Sequence, residues 1–313
     1  MNPLTQFNKI VILPLLSLCA ILVLVTATHA QNLYVSANRL QSLGGHAILQ
    51  FTPDGVESTY ASGLGIPRGL AFDGLGNLFA AEILERDDHV IGRVLKFNLR
   101  NKVSTFGSVA KFDFLGLATD VAGNAYVMAT DDNSSVGAGT IFKFTPNGDR
   151  LVFGTVPGTT GDNLLQANEG LAFDRAGYLY AADGGAQTIY KFAPDGTRTV
   201  FVGPTAFDPG AYPFGLTFDS TGNLFVSTVC FAPFFCDPGS DTILTFTPTG
   251  DESTFATGLT NPRGLAFDDL GYLFVAEANA PGNILMFPPG GGQPTVFATV
   301  IGRPQFLTFG PPR

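Results

Sequence analysis

Apolar and polar residues alternate in short runs along most of this chain, with Gly, Pro, Asp and Asn between the runs. A period of two marks a half-buried β-strand, and no run longer than a turn keeps a 3.6-residue period, so the pattern predicts strands throughout. The runs also repeat. Gly-Leu-Ala-Phe-Asp, two further residues, Gly-Asn or Gly-Tyr, Leu-Phe-Val-Ala, a variable stretch, Ile-X-Lys-Phe-X-Pro-X-Gly and a Thr-Phe pair recur, fully or in part, five times. Their anchors are Gly69, Gly116, Gly170, Gly215 and Gly264, which lie 47, 54, 45 and 49 residues apart.

Periods of about 40 to 50 residues belong to four-stranded propeller blades, whereas a solenoid keeps a tighter one. Five copies leave both ends of the chain over. Pro304-Gln305-Phe306-Leu307-Thr308-Phe309 matches the opening strand of a repeat, and Leu33-Tyr34-Val35 with Ile48-Leu49-Gln50-Phe51-Thr52-Pro53-Asp54-Gly55 matches the remainder. Together they supply a sixth blade. Pairing the last strand with the first ones closes the ring and removes two exposed sheet edges. The 283 residues from 31 to 313 then divide into six units of about 47. The expected fold is all-β, a six-bladed β-propeller of four-stranded blades closed by its N- and C-terminal strands. Nineteen of the 29 Phe fall at four repeated positions, one per strand, as Phe173, Phe225, Phe192 and Phe153 do. Wedge-shaped gaps between twisted sheets call for large side chains without polar atoms, so these Phe are expected to pack between blades.

Gly170-Leu171-Ala172-Phe173-Asp174 with Gly177-Tyr178-Leu179-Tyr180 shows the motif well. The five copies resemble the NHL repeat and the related senescence-marker-protein/gluconolactonase group of six-bladed propellers. The resemblance extends over nearly all of residues 31–313. It implies the fold; for function it implies lactone hydrolysis in some members, binding of protein or RNA in others, and many members with no known ligand. For the gluconolactonase group it implies a channel-mouth metal held by a Glu and Asn residues, with an Asp nearby as general base. The group's Pro-Asn-Gly is absent: this chain has Pro67-Arg68-Gly69, Asn168-Glu169-Gly170, Pro213-Phe214-Gly215 and Pro262-Arg263-Gly264. No catalytic residue of that group transfers by position. The tryptophan-bearing repeats of virginiamycin-lyase-like propellers also lack a counterpart in a chain with no Trp.

Residues 1–30 stand outside the repeats. Lys9 is their only charge, and it precedes an apolar run over 10–25, broken at Pro14 and Ser17, and a short polar stretch to Ala30. This is the form of a secretory signal peptide cleaved after Ala30, with Thr28 third before the cut. The rival is a retained anchor, for which the run is shorter than the ~20 residues of a spanning helix. The expectation is an exported protein, periplasmic or secreted, with residues 31–313 as the mature chain and no second hydrophobic span. With 17 basic and 26 acidic side chains the net charge is -9, which lacks the footprint of a nucleic-acid binder. Three Cys and three His exclude a disulfide-dense scaffold and a Cys/His zinc cluster. His46 falls on a repeated strand and His89 in a polar loop, positions that suit structure and solvent better than catalysis.

The connections divide the fold into two faces. First-to-second turns such as Asp73-Gly74-Leu75-Gly76 and Asp219-Ser220-Thr221-Gly222 are short and uniform, and Asp73, Asp120, Asp174, Asp219 and Asp268 are expected to cap them. Second-to-third connections range from 183–188 to the long 228–242, and the blade links 154–169 and 202–214 are also long. Both of these sets emerge on one face, where a ligand or partner surface is expected. There the residue before each repeat glycine should line the mouth of the central channel: Arg68, Leu115, Glu169, Phe214, Arg263 and, in the composite blade, Gln305. Fourteen positions further on come Glu82, Ala129, Asp183, Thr228 and Glu277. Arg68 with Glu82 and Arg263 with Glu277 read as ion pairs, whereas Glu169 with Asp183 sets two carboxylates together. Such a pair is relieved by raised pKa values, by a cation, or by an Arg from a neighbouring blade. Asn168, Glu169 and Asp183 offer the hard oxygen ligands that suit one divalent cation, Ca²⁺ before others.

The longest loop holds Cys230-Phe231-Ala232-Pro233-Phe234-Phe235-Cys236. Its two Cys favour a disulfide after export, with free buried thiols as the alternative. Phe231, Phe234 and Phe235, with Phe214 of the same blade, form either an exposed apolar patch or a plug on the channel. The functional expectation is a ligand- or protein-binding module, monomeric, that works through the loop face. Its surface comprises Arg68, Glu82, Phe214, Arg263, Glu277, Gln305 and the loop Phe residues. The alternative is a metal-dependent lactone hydrolase of the gluconolactonase type.

Overall fold

The computed structural model describes residues 31–40, 42, 44–131, 138–158, 169–230 and 241–311. Within them the chain forms 24 strands in six antiparallel 4-stranded sheets. Five sheets are sequential, at 66–110, 112–156, 171–202, 211–259 and 262–300, and are called blades 2 to 6 in that order. Blade 1 is composite. Its inner strand Arg303–Phe309 pairs with Leu33–Asn38, Leu33 opposite Phe309 and Val35 opposite Leu307, and Ala47–Phe51 and Glu57–Ser62 complete it. The inner strands touch in cyclic order, blade 1 against both blade 6 and blade 2, so the ring is closed. The expected six-bladed propeller is the observed fold. The helical pieces among the described residues are short 3-10 turns such as Pro204–Ala206, and no helix there is long and apolar enough to cross a membrane.

Each blade has a neighbour on both faces, so its second strand is buried on both sides and reads as a continuous apolar run rather than an alternating one. Leu179–Asp183 and Leu273–Glu277 are buried at every position, while outer strands such as Arg198–Val202 begin exposed. The gaps between blades are filled by rings set edge to face. Each second-strand aromatic meets the outer-strand aromatic of its own blade, as Phe225 meets Phe255 at 5.1 Å and Phe274 meets Phe297 at 5.0 Å. Five of the six second-strand aromatics also meet the inner-strand Phe of the next blade, as Phe225 meets Phe267 at 4.9 Å. Each such pair adds about 0.5–1.5 kcal/mol beyond area burial. Blade 3 has Thr119 at the inner position instead, and its hydroxyl donates to the Phe72 carbonyl at 2.7 Å.

Ring closure also explains the anchor glycines. A Cβ at Gly116 would lie 1.5 Å from the Glu169 carbonyl oxygen, and one at Gly215 would lie 2.0 Å from that of Arg263. Gly69 and Gly170 face the next blade's backbone as closely, at 2.3 and 2.2 Å. The inner strands converge until only glycine fits, so the requirement is for space rather than for unusual backbone angles.

On the face of the short turns, Asp73 Oδ1 accepts the N–H groups of Leu75 and Asn77 at 3.0 and 2.8 Å. Asp120, Asp174, Asp219 and Asp268 do the same in their own turns, so the recurring Asp are turn caps as expected. Residues near both ends of the described chain meet this face as well. The Asp269 N–H donates to Gln31 Oε1 at 3.3 Å, and the Gly310 N–H to the Asn32 carbonyl at 2.9 Å.

Candidate functional site

The mouth of the channel is built by a backbone irregularity. In blade 2, Pro67 stands opposite Glu82 but Leu70 opposite Ala80, so Arg68 and Gly69 together face the single residue Ala81. The same two-against-one bulge occurs at Leu115-Gly116, Phe214-Gly215, Arg263-Gly264 and Gln305-Phe306. A bulge re-aims the side chain it carries. In these five blades it re-aims the first residue of the pair, and it brings Arg68, Arg263 and Gln305 together across the mouth.

The result is a cluster drawn from four blades. Arg68 Nη1 and Arg263 Nη1 both donate to Gln305 Oε1, each at 3.0 Å. Glu169 Oε1 lies 3.5 Å from Arg263 Nη1 and 4.0 Å from Arg68 Nη1. Glu169 belongs to blade 4, diametrically opposite blade 1, so the cluster spans the channel. The Arg263 guanidinium lies over the Phe214 ring at 4.5 Å from its centroid, and Phe214 is 1% exposed. Burial holds the Arg263 pKa below its ordinary value; the positive charges of Arg68 and Arg303 push the same way, against the pull of Glu169. Two buried atoms, Glu169 Oε2 and Arg68 Nε, have no hydrogen-bond partner among the described residues. Access is through the arginines, whose side chains are 20% and 16% exposed for Arg68 and Arg263. Beneath the cluster runs a channel of about 550 Å³, from Gly170, Gly215 and Gly264 down to Asp268 and Asp269 at the turn face.

Six mouth positions were expected, and the structure brings five of them (Arg68, Glu169, Phe214, Arg263 and Gln305) into mutual contact, with Leu115 buried beside them. Their partners differ from expectation. Glu82 pairs with Arg93 on the third strand of its own blade and accepts the Gly65 N–H at 3.0 Å, not Arg68. Glu277 accepts the Thr260 N–H at 2.9 Å, not Arg263. Asp183 accepts N–H groups from Gly158 and Ala186 at 3.0 and 2.9 Å, and burial raises its pKa in spite of them. The cause of the difference is the bulge. It leaves Glu82 and Glu277 opposite Pro67 and Pro262, and swings the arginines out of reach. Glu82, Asp183 and Glu277 are each buried and hold the backbone of the link that leads into their blade.

Glu169 and Asp183 therefore take separate partners, and two arginines stand beside Glu169. No group of three or more His, Cys, Asp or Glu side chains suited to a metal ion occurs among the described residues. Asn168, Phe231, Phe234, Phe235 and Cys236 lie outside the described residues. Of the two alternatives for Phe214, burial under Arg263 is what the structure shows. His46 Nδ1 accepts the Arg39 N–H at 3.2 Å, and burial lowers its pKa, which suits a structural imidazole. His89 pairs with Asp88 in an exposed turn.

Sequence reasoning missed two serines. The Gly215 N–H donates to Ser227 Oγ at 2.8 Å, and that hydroxyl donates to the Arg263 carbonyl at 2.7 Å, which ties blade 5 to blade 6 beside the mouth. Ser36 bridges the Phe306 backbone in the same manner. Both stand on the second strand where other repeats have Ala or Met, a signal visible in the repeat alignment itself. Cys230 ends the strand Leu224–Cys230 and is disulfide-bonded. Peptide mapping without reductant is expected to show it linked to Cys236, and Cys236→Ser to cost about 2 kcal/mol, the value for a short closed loop. Full alkylation of both thiols in unreduced protein would reject the link.

No family profile and no curated protein matches this chain. Solved structures do. A putative 6-phosphogluconolactonase from Bacteroides fragilis is similar at 17% identity and TM-score 0.58, covering 91% of this chain and 99% of that one. Virginiamycin B lyase from Staphylococcus aureus is similar at 17% identity and TM-score 0.53, over 77% of this chain and 73% of that one. A protein of unknown function from Bacteroides caccae gives 12% identity and TM-score 0.58, over 90% and 98%. At these identities the likeness is one of fold. The class that fold and mouth define is a closed six-bladed β-propeller with a polar cluster across one end of its channel.

Proposed function

We propose that this protein is an exported ligand-binding propeller that recognises a small molecule at the mouth cluster. The observation that carries this reading is convergence: Arg68, Glu169, Arg263 and Gln305 come from four blades to one point, where Glu169 Oε2 and Arg68 Nε have no hydrogen-bond partner among the described residues. A buried polar atom left unsatisfied costs about 1–3 kcal/mol, and a ligand that satisfies it recovers that cost. The hydrolase alternative needs carboxylates free to hold a cation. Glu82, Asp183 and Glu277 already accept hydrogen bonds, and the two guanidinium groups beside Glu169 repel a divalent ion.

The test is native mass spectrometry of residues 31–313 after incubation with a defined mixture of metabolites. One retained species is expected, with retention reduced at least tenfold in Gln305→Ala and in Phe214→Ala. Retention that is absent from the wild type, or undiminished in both variants, overturns the reading. Lactone turnover that depends on added Ca²⁺ would move the protein to the hydrolase class.

A further inference from the structure

We infer that the mouth cluster is an anion site, and that its ligand carries a carboxylate or phosphate group held by Arg68 and Arg263. The inference rests on the ligand-binding reading above and names the class of ligand. The first support is the charge inventory. Two guanidinium groups face one carboxylate, Glu169, and Arg303 adds a further positive charge that reaches Arg263. Four other acids of this face are engaged elsewhere: Glu82 by Arg93, Asp183 by Gly158 and Ala186, Glu277 by Thr260, and Asp241 by the Cys230 N–H at 2.7 Å and the Asn261 N–H.

The second support is donor geometry. Both Nη1 groups point at one neutral oxygen, Gln305 Oε1. An anionic oxygen at that point would receive charge-assisted bonds, about twice as strong as those to an amide. Glu169 balances charge from 3.5 and 4.0 Å and takes few donors. A guanidinium has five N–H donors. Beyond the bonds to Gln305, only Arg263 Nε is used, by Asn261 Oδ1 at 3.3 Å, among the described residues. Arg68 Nε is buried without a partner among the described residues. The Phe214 ring fixes the plane of the Arg263 fork, which lowers the entropy lost on binding a planar or tetrahedral oxyanion.

The experiment titrates inorganic phosphate and, separately, succinate into residues 31–313 at constant ionic strength, read by calorimetry and by melting temperature. Saturable binding of at least one anion with a rise in melting temperature is expected, and the stronger arm identifies phosphoryl or carboxylate. Arg68→Gln and Arg263→Gln should each weaken binding at least tenfold, and Arg100→Gln, on the exposed turn face, should not change it. Arg263→Lys covers the case in which removing the charge unfolds the ring. It keeps the charge near Glu169 but lacks the planar fork, so weaker binding is again expected. An equal response in wild type and both Gln variants is a general salt effect and overturns the inference. A neutral metabolite retained at the mouth, with no response to either anion, overturns the anion class and leaves the ligand-binding function standing. No retention and no response removes both.

Discussion

Deletion of residues 304–313 is expected to leave a protein that is insoluble or shows no cooperative melting. The segment removes the inner strand of blade 1, and with it Pro304 and Leu307 from the core and Phe309 from its edge contact with Phe274 at 5.0 Å. Burial of a large apolar side chain is worth about 1.5–3 kcal/mol, so losing several is comparable to the ~5–15 kcal/mol of net stability in a whole domain. Two further effects add to this. Leu33–Asn38 becomes an open edge able to pair with another chain, and Arg68 and Arg263 lose the Gln305 oxygen they share. Size-exclusion chromatography and thermal denaturation check the outcome. A truncated protein that stays monomeric and melts at the full-length temperature would show that ring closure contributes nothing.

Gly116→Ala is expected to destabilise by about 3 kcal/mol, at the upper end of overpacking costs, and to lower the melting temperature by about 5–10 °C. The obstacle is backbone on the neighbouring blade: the added methyl would lie 1.5 Å from the Glu169 carbonyl oxygen, and no rotamer change relieves it. Blades 3 and 4 must part. That movement displaces Glu169 itself, so the variant should also lose any ligand held at the mouth. Gly148→Ala is the matched control, since its Cβ meets nothing within 4 Å and only its φ of +92 is unfavourable, a cost of about 1 kcal/mol. Equal losses in the two variants would show that space at the inner ring is not what Gly116 provides.

The architecture was legible because it repeats. Period-two runs, Asp caps and anchor glycines recur at fixed offsets, and the half-repeats at the two ends could be joined by the same template. The positions of the mouth ring followed from that template as well. Its pairings did not, because the anchor glycine within a strand hints at a bulge but does not say where the residue before it is aimed. Straight strands would put Arg68 beside Glu82; two residues against one send Arg68 to Gln305 and leave Glu82 for Arg93. Likewise nothing in a spacing says that a buried Asp183 or Glu277 accepts a link N–H rather than facing the axis. Phe214 is buried, and what covers it is Arg263 of the next blade, a partner that no spacing in the sequence names.

Gln31 and Gly310 both contact the turn face, at the end of the channel away from the cluster. Residues 31 and 310 therefore lie on the same side of the ring. A support or a reporter attached at residue 31 or 310 meets the Asp-capped turns, with Arg68 and Arg263 at the opposite end of the channel. Linkage at residue 31 or 311 would thus leave the mouth of the channel on the side away from the attachment.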